Sequence, residues 1–255
     1  MKTIKILSVI LIITFVIAFQ IKLTAQEKLT ALQIVENAIN KVQGNTSQGT
    51  LNMTIIRPTW SREISMKIWS KGMEYYMIYI SSPARDRGQV FLKREEEMWN
   101  WIPTISRMVK IPPSMMMQSW MGSDFTNNDL IKLSSFVKDY NHSLIGSEEI
   151  DSMACYKIKF EPKETAAVVW GKIVMWISKT EFYQLKIEYF DEYENLVNRE
   201  LCSNIQQMGD RKLPGKLVMI PVLKKGNKTI LEYEKMEFNK PLNENFFSIQ
   251  NMKRV

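Results

Sequence analysis

Apolar residues recur along this chain with two different periods. Leu32, Val35, Ile39 and Val42 stand three or four residues apart, the spacing of one face of an α-helix. Thr30 and Gln33 are placed as a capping box ahead of that stripe and Gly44 as its stop. From Gly49 the period becomes two: Leu51, Met53 and Ile55 alternate with Asn52 and Thr54, and Ile64, Met66 and Ile68 with Ser65 and Lys67, as in half-buried strands. Lys71-Gly72 turns the chain into Met73 to Ile80, where Tyr75, Met77 and Tyr79 lie on one face and Tyr76, Ile78 and Ile80 on the other. A strand apolar on both sides is expected in a central position with both faces covered. After the charged turn Ser82 to Gly88, short strands are expected over Gln89 to Arg94, Met98 to Ile102 and Ile105 to Ile111. Seven more follow, over Ser143 to Glu149, Ala154 to Glu161, Gly171 to Ser178, Tyr183 to Tyr189, Leu196 to Gln206, Lys216 to Leu223 and Thr229 to Phe238, punctuated by Gly209-Asp210, Pro214-Gly215 and Lys224 to Asn227. Eleven to thirteen strands and one main helix make an antiparallel, β-dominated α+β fold.

Between these halves, Met98 to Leu130 breaks the pattern. It holds three of the seven tryptophans and six of the seventeen methionines, set among Pro103, Pro112, Pro113 and Gly122. Such side chains fill cores, and thioethers also re-pack around irregular apolar ligands. Gly122 can take a backbone conformation closed to other residues, Asp124 can accept backbone N–H bonds in the turn, and Phe125 is placed to anchor the block. Thr126 with Asp129 can cap a short helix carrying Leu130, Ile131 and Leu133.

The order of residues in this region carries a resemblance. Arg87-Gly88, Phe91-Leu92, Met98-Trp99-x-Trp101-x-Pro103, Arg107, Lys110-Ile111, Ser114, Met121-Gly122-Ser123-Asp124-Phe125 and Asp129-Leu130 resemble the signature of the outer-membrane lipoprotein-sorting proteins, a LolA-like family of periplasmic carriers. The match covers Ser82 to Leu130; elsewhere only the order of elements agrees. The resemblance implies an open, curved antiparallel sheet, an unclosed half-barrel with helices over its concave face, and an apolar cavity that accepts the acyl chains of a lipoprotein or lipid. Expected lining residues are Met53, Ile55, Met66, Ile68, Tyr75, Met77, Trp99, Trp101, Met115, Met116, Met117, Trp120 and Met121, with Gly122, Asp124 and Phe125 supporting the loop. A one-residue slip exchanges strand faces, so the inward face of each strand stays open. Arg107 either pairs with a buried acid such as Asp124 or holds a ligand head group through its planar fork.

Met1 to Ala25 reads as a secretory leader: Lys2 and Lys5, an apolar run from Ile6 to Phe19, and a small residue at Ala25. The run is shorter than the roughly 20 residues of a membrane span. The mature chain, 26–255, is expected to be one periplasmic domain. The leader takes three lysines with it, so thirty-one basic residues face twenty-seven acids and the charge falls from +7 to +4. That mild excess does not suggest nucleic acid, although it allows an anionic membrane surface or an acidic partner. Cys155 and Cys202 are the only thiols; they either pair in an oxidising compartment or stay as buried free cysteines within their strands.

Enzymatic chemistry lacks its constellations. One histidine, His142, cannot build a multi-histidine metal site, neither cysteine has a near neighbour, and ten glycines supply no nucleophile elbow or phosphate loop. Glu95 to Glu97 and Glu148-Glu149 read as solvated charges. No catalytic residue, metal or cofactor is therefore expected. The leading expectation is a carrier that hands its ligand to an inner- or outer-membrane transport component. A lipid-sensing regulatory or transporter-accessory protein of the same fold is the alternative, and an envelope hydrolase would need a nucleophile that is not found.

Overall fold

Among the described residues, the thirteen strands form one antiparallel sheet in the order β6-β5-β4-β3-β2-β1-β13-β12-β11-β10-β9-β8-β7. The computed structural model describes residues 28–255 except 131, 165 and 167; the leader expected over Met1 to Ala25 lies outside the described residues. Ala31–Val255 forms one compact unit. The first half of the sheet comprises β1 (Thr46–Arg57), β2 (Trp60–Lys71), β3 (Tyr75–Ser82), β4 (Val90–Arg94), β5 (Glu97–Ile102) and β6 (Arg107–Ile111). The second comprises β7 (Tyr140–Ile150), β8 (Met153–Pro162), β9 (Lys172–Ser178), β10 (Gln184–Phe190), β11 (Leu196–Met208), β12 (Arg211–Pro221) and β13 (Lys228–Phe238). Each half is a meander of sequential hairpins, and pairing of β1 with β13 joins them. β6 and β7 are the free edges, so the sheet stays open.

Among the described residues, two α-helices lie on one side of this sheet. α1 (Ala31–Gln43) buries Ile34, Val35, Ala38 and Ile39, whereas Leu32, the first residue of the expected stripe, remains exposed. α2 (Lys132–Lys138) contributes Phe136. Both helices pack over the second half, against Ile158, Phe160, Ile173, Met175, Ile177, Ile187 and Tyr189. The lone histidine belongs to this core: His142 Nε2 bonds the Phe136 carbonyl oxygen at 2.7 Å, and its ring meets Phe160 edge-on at 4.8 Å.

The pleat divides the first half into two layers. Leu51, Met53, Ile55, Ile64, Met66, Ile68, Ile78, Ile80, Phe91 and Met98 form the layer on the concave side. Met77, Val90 and Leu92 point the other way, where Phe247 and Met252 of the C-terminal segment cover them, with Tyr75, Tyr79, Trp99 and Trp101 half-buried beside them. Trp69 lies 5.4 Å from Phe246 and Tyr75 5.7 Å from Phe247, and Arg94 donates to the Phe247 carbonyl at 3.1 Å. β3 thus has both faces covered, although it is the fourth strand from an edge rather than the middle one.

The joint between the halves contains a bulge. Thr50 faces Lys235 but Leu51 faces Tyr233, so Glu234 is the extra residue and the alternation along β13 changes phase there. Beside it, a Cβ on Gly49 would collide with the Lys235 carbonyl oxygen and the Met236 sulfur. Gly49→Ala should therefore force the two backbones apart and destabilise the protein by about 1–3 kcal/mol. Urea unfolding of the variant beside wild type tests this; an unchanged midpoint would show that the joint yields freely.

Candidate functional site

A cavity of about 210 Å³ lies inside the concavity, walled by both halves of the sheet. Ile68, Tyr76 and Lys93 come from β2, β3 and β4, and Ile187, Glu200, Cys202, Leu217, Leu231, Tyr233 and Met236 from β10 to β13. Val42 and Gln43 of α1, Phe136 of α2, and Trp120, Phe125 and Leu130 of the connecting segment also line it. One cavity can be walled by strands so far apart in the sheet order only because the sheet curls.

Its walls are mostly apolar but include several buried polar groups. The Tyr189 hydroxyl donates to Glu200 Oε2 at 3.0 Å, and Cys202 Sγ lies 3.8 Å from Glu200 Oε1. Burial, with the charge of Glu200 nearby, pushes the Tyr233 phenol up to about 12 and holds Tyr189 well above its ordinary range. At the other wall the Lys93 ammonium donates to the Met73 carbonyl, and burial lowers its pKa, with the carboxylate of Glu74 opposing the shift. Ser47 and Ser70 share a hydrogen bond of 2.7 Å. Two donors on lining residues, Trp120 Nε1 and Gln184 Nε2, are buried with no hydrogen-bond partner among the described residues.

The methionine-rich segment folds back on itself over this space. Trp120 N donates to the Phe125 carbonyl at 2.8 Å, Asn127 N to Gln118 O at 3.0 Å and Asn128 N to Met116 O at 3.0 Å. The reversal needs two consecutive left-handed residues, Met121 (φ 51°) and Gly122 (φ 76°). Glycine takes that conformation without a Cβ penalty; methionine does not. Thr126 and Asp129 then cap the following turn reciprocally: Thr126 N donates to Asp129 Oδ2 at 2.6 Å, and Asp129 N to Thr126 Oγ1 at 3.2 Å.

A polar latch fastens this segment to the sheet. Arg57 Nη1 meets Asp124 Oδ2 at 3.0 Å and Arg57 Nη2 donates to the Gly122 carbonyl at 2.9 Å. Thr229 Oγ1 donates to Asp124 Oδ2 at 2.7 Å and accepts from Asp124 N at 2.9 Å. Arg62 Nη2 donates to the Met121 carbonyl. The ion pair is largely withdrawn from water, its side chains 13% and 5% exposed, so each member depends on the other. Asp124 thus takes its cation from the end of β1; Arg107 lies exposed on the edge strand β6 and is not its partner. A pairing across sixty-seven residues left no mark in local spacing.

The expected lining residues divide into four groups. Ile68 and Trp120 wall the cavity. Met53, Ile55 and Met66 share the concave face with Trp120, and Met115, Met116 and Met121 pack against that layer, but these six residues are not on the cavity wall. Tyr75, Met77, Trp99 and Trp101 sit in the layer under the C-terminal segment, because the pleat turns Tyr76, Ile78 and Met98 inward in their place. Met117 is 55% exposed. Phe125 is a buried lining residue. Sequence reasoning assigned no lining to β10 to β13, where Glu200 and Cys202, two apart in a strand, were the available signal.

The thiols lie on opposite sides of the sheet: Cys202 lines the cavity, while Cys155 is fully buried with Val174, Trp176, Tyr183 and Leu185. Both are free. Among the described residues no group of three or more His, Cys, Asp or Glu could hold a metal ion, and no helix is long and apolar enough to cross a membrane.

A family model described as "Uncharacterized protein" matches residues 72–254. No curated protein matches the chain. Among solved structures, a DUF1329 family protein from Desulfovibrio piger is 21% identical with a TM-score of 0.80, covering 87% of this chain and 97% of that one. A LolA superfamily protein from Nitrosomonas europaea is 22% identical with a TM-score of 0.75, covering 88% and 100%. An outer membrane lipoprotein-sorting protein domain from Vibrio parahaemolyticus is 21% identical with a TM-score of 0.78, covering 88% and 98%. The chain belongs to the family of the matching model, and its open, curved sheet has the LolA-like fold of the outer-membrane lipoprotein-sorting proteins whose signature its tryptophan and G-S-D-F residues resemble.

Proposed function

We propose that the protein is a periplasmic carrier that holds the acyl chains of a lipoprotein or lipid in its cavity and passes them to a membrane component. The observation that carries this reading is the cavity itself, enclosed by both sheet halves and roofed by a methionine-rich segment fastened through the Arg57–Asp124 pair. At about 210 Å³ it falls below the roughly 300–1,000 Å³ of sites that enclose a drug-sized ligand, so loading requires the roof to move. Met115, Met116 and Met121 of that roof are partly buried against the concave layer, and flexible thioethers re-pack at small cost. An acyl chain of roughly 15 methylenes would gain on the order of 12 kcal/mol on burial, a grip too tight for delivery unless opening the roof offsets part of it. The unpartnered donors Trp120 Nε1 and Gln184 Nε2 suit the ester or amide carbonyls of an acylated ligand. Periplasmic export by the leader and the 26–255 domain belong to the same reading.

Lipid mass spectrometry of the protein, purified gently from its own envelope, should find an acyl-bearing ligand. Asp124→Asn keeps the side chain's shape and removes the ion pair, so it should retain much less ligand while the sheet stays folded. Absence of acyl ligand from both preparations would remove the carrier reading.

The cysteines give a second readout on the same protein. A bound acyl ligand should slow modification of Cys202 by a small apolar maleimide several-fold, whereas Cys155, whose thiol burial pushes up, should react only on unfolding. Equal protection of Cys202 with and without fatty acid would mean that the ligand lies elsewhere.

A further inference from the structure

Hairpin tips at one end of the sheet carry apolar side chains that the fold leaves uncovered. The register sets the tip of β1–β2 beside that of β12–β13: Arg57 faces Trp60, Ile56 faces Lys228, and Met219 faces Thr229. The two tips touch, since a Cβ on Gly226 would lie 3.3 Å from Pro58 Cγ. On them Trp60 is 49% exposed, Val222 38% and Leu223 83%. Lys224, Lys225 and Lys228 are exposed beside them, and the Arg57 guanidinium lies 5.8 Å from the Trp60 ring. The exposed acid nearest in sequence is Glu63. The neighbouring β10–β11 tip, joined to that of β12–β13 where Val222 N donates to the Val197 carbonyl at 2.9 Å, carries the exposed Tyr193 with Asp191, Glu192 and Glu194; Glu194 is paired with Lys172 at 3.1 Å, and this acidic tip bounds the basic patch on one side.

An exposed leucine and tryptophan with three lysines on the same pair of tips have the composition of a membrane-interface contact, with apolar tips for the acyl boundary and ammonium groups for anionic headgroups. We propose that these two tips dock the protein on the surface of an anionic lipid bilayer. Charge complementarity favours that occupant over a second copy, because the lysines of two facing patches would repel. With few side chains entering, the contact is shallow and reversible. It also lies where the roof is fastened: Arg57 stands at the foot of the first tip and Thr229 one residue beyond Lys228, at the foot of the second, and both hold Asp124. The acyl-carrier reading is not needed for the docking itself.

Vesicle flotation tests the proposal, using the protein expressed with its own leader and recovered in soluble form. It should bind phosphatidylglycerol-containing vesicles, bind pure phosphatidylcholine vesicles much less, and be released by salt. Replacing both Lys224 and Lys225 by Gln should weaken binding on the order of tenfold or more, given about fivefold per lysine near an anionic surface. Leu223→Ser should weaken it several-fold at unchanged melting temperature and unchanged lipid content of the purified protein, and Trp60→Ser, whose ring lies against the Arg57 guanidinium, should also weaken it several-fold. Equal binding to both vesicle types, or anionic binding that survives all three changes, would overturn the proposal. So would failure to bind vesicles combined with a Leu223-dependent dimer, which would assign the patch to self-association.

Discussion

Pairing between the first and last strands is the constraint on which the rest of this structure depends. Within each half, hairpins form between neighbours in sequence and need little loop closure. β1 and β13 lie some 170 residues or more apart, and the entropy of closing so long a loop, which grows only as the logarithm of its length, is recovered only when the whole ladder forms. Before that, each half presents an apolar face with nothing opposite it. After it, residues of β2, β3 and β4 confront residues of β10 to β13 across one space. The cavity is therefore a consequence of the joint. The close approach at Gly49 and the bulge at Glu234 are its local conditions: one lets the backbones meet, and the other turns both Tyr233 and Met236 to the inner face.

The roof is held differently. A sheet ladder is cooperative along its length, but the segment over the cavity is tied by a handful of contacts from three side chains, Arg57, Arg62 and Thr229, to Asp124 and two carbonyls. A segment with few ties opens at lower free energy than the element it rests on. Arginine suits this role because its fork reaches carboxylate and carbonyl at once, so one side chain couples the ion pair to the strained turn at Met121 and Gly122. On the carrier reading, loosening the latch would free the roof without breaking a hairpin of the sheet.

Much of this architecture was legible in the residue pattern. Alternation located the thirteen strands, and Thr126 with Asp129 marked the turn before α2. What alternation could not give was direction. Tyr75, Met77, Trp99 and Trp101 are as apolar as the residues that face inward, because the C-terminal segment covers them; a strand apolar on both sides announces two covers without saying which is the cavity. Nor could local spacing show that Asp124 is matched by Arg57 rather than Arg107, since that pairing exists only once the two segments meet in space. On β13, a single extra residue reverses the pattern midway, so even a correct face at Leu231 predicts the wrong one at Met236.

The polar groups inside the cavity belong to the same logic as the roof. An all-hydrocarbon wall would bind a long acyl chain in proportion to its length, with no means of limiting the grip. Glu200 held by Tyr189, Lys93 on the Met73 carbonyl and the Ser47–Ser70 pair keep internal partners that a ligand's hydrocarbon cannot replace, so the chain gains less where it passes them. They also divide the lining between its two walls, with the ammonium on β4 and the carboxylate on β11. On the carrier reading, the apolar stretches supply affinity, the buried polar groups limit it, and the latch sets when it is released.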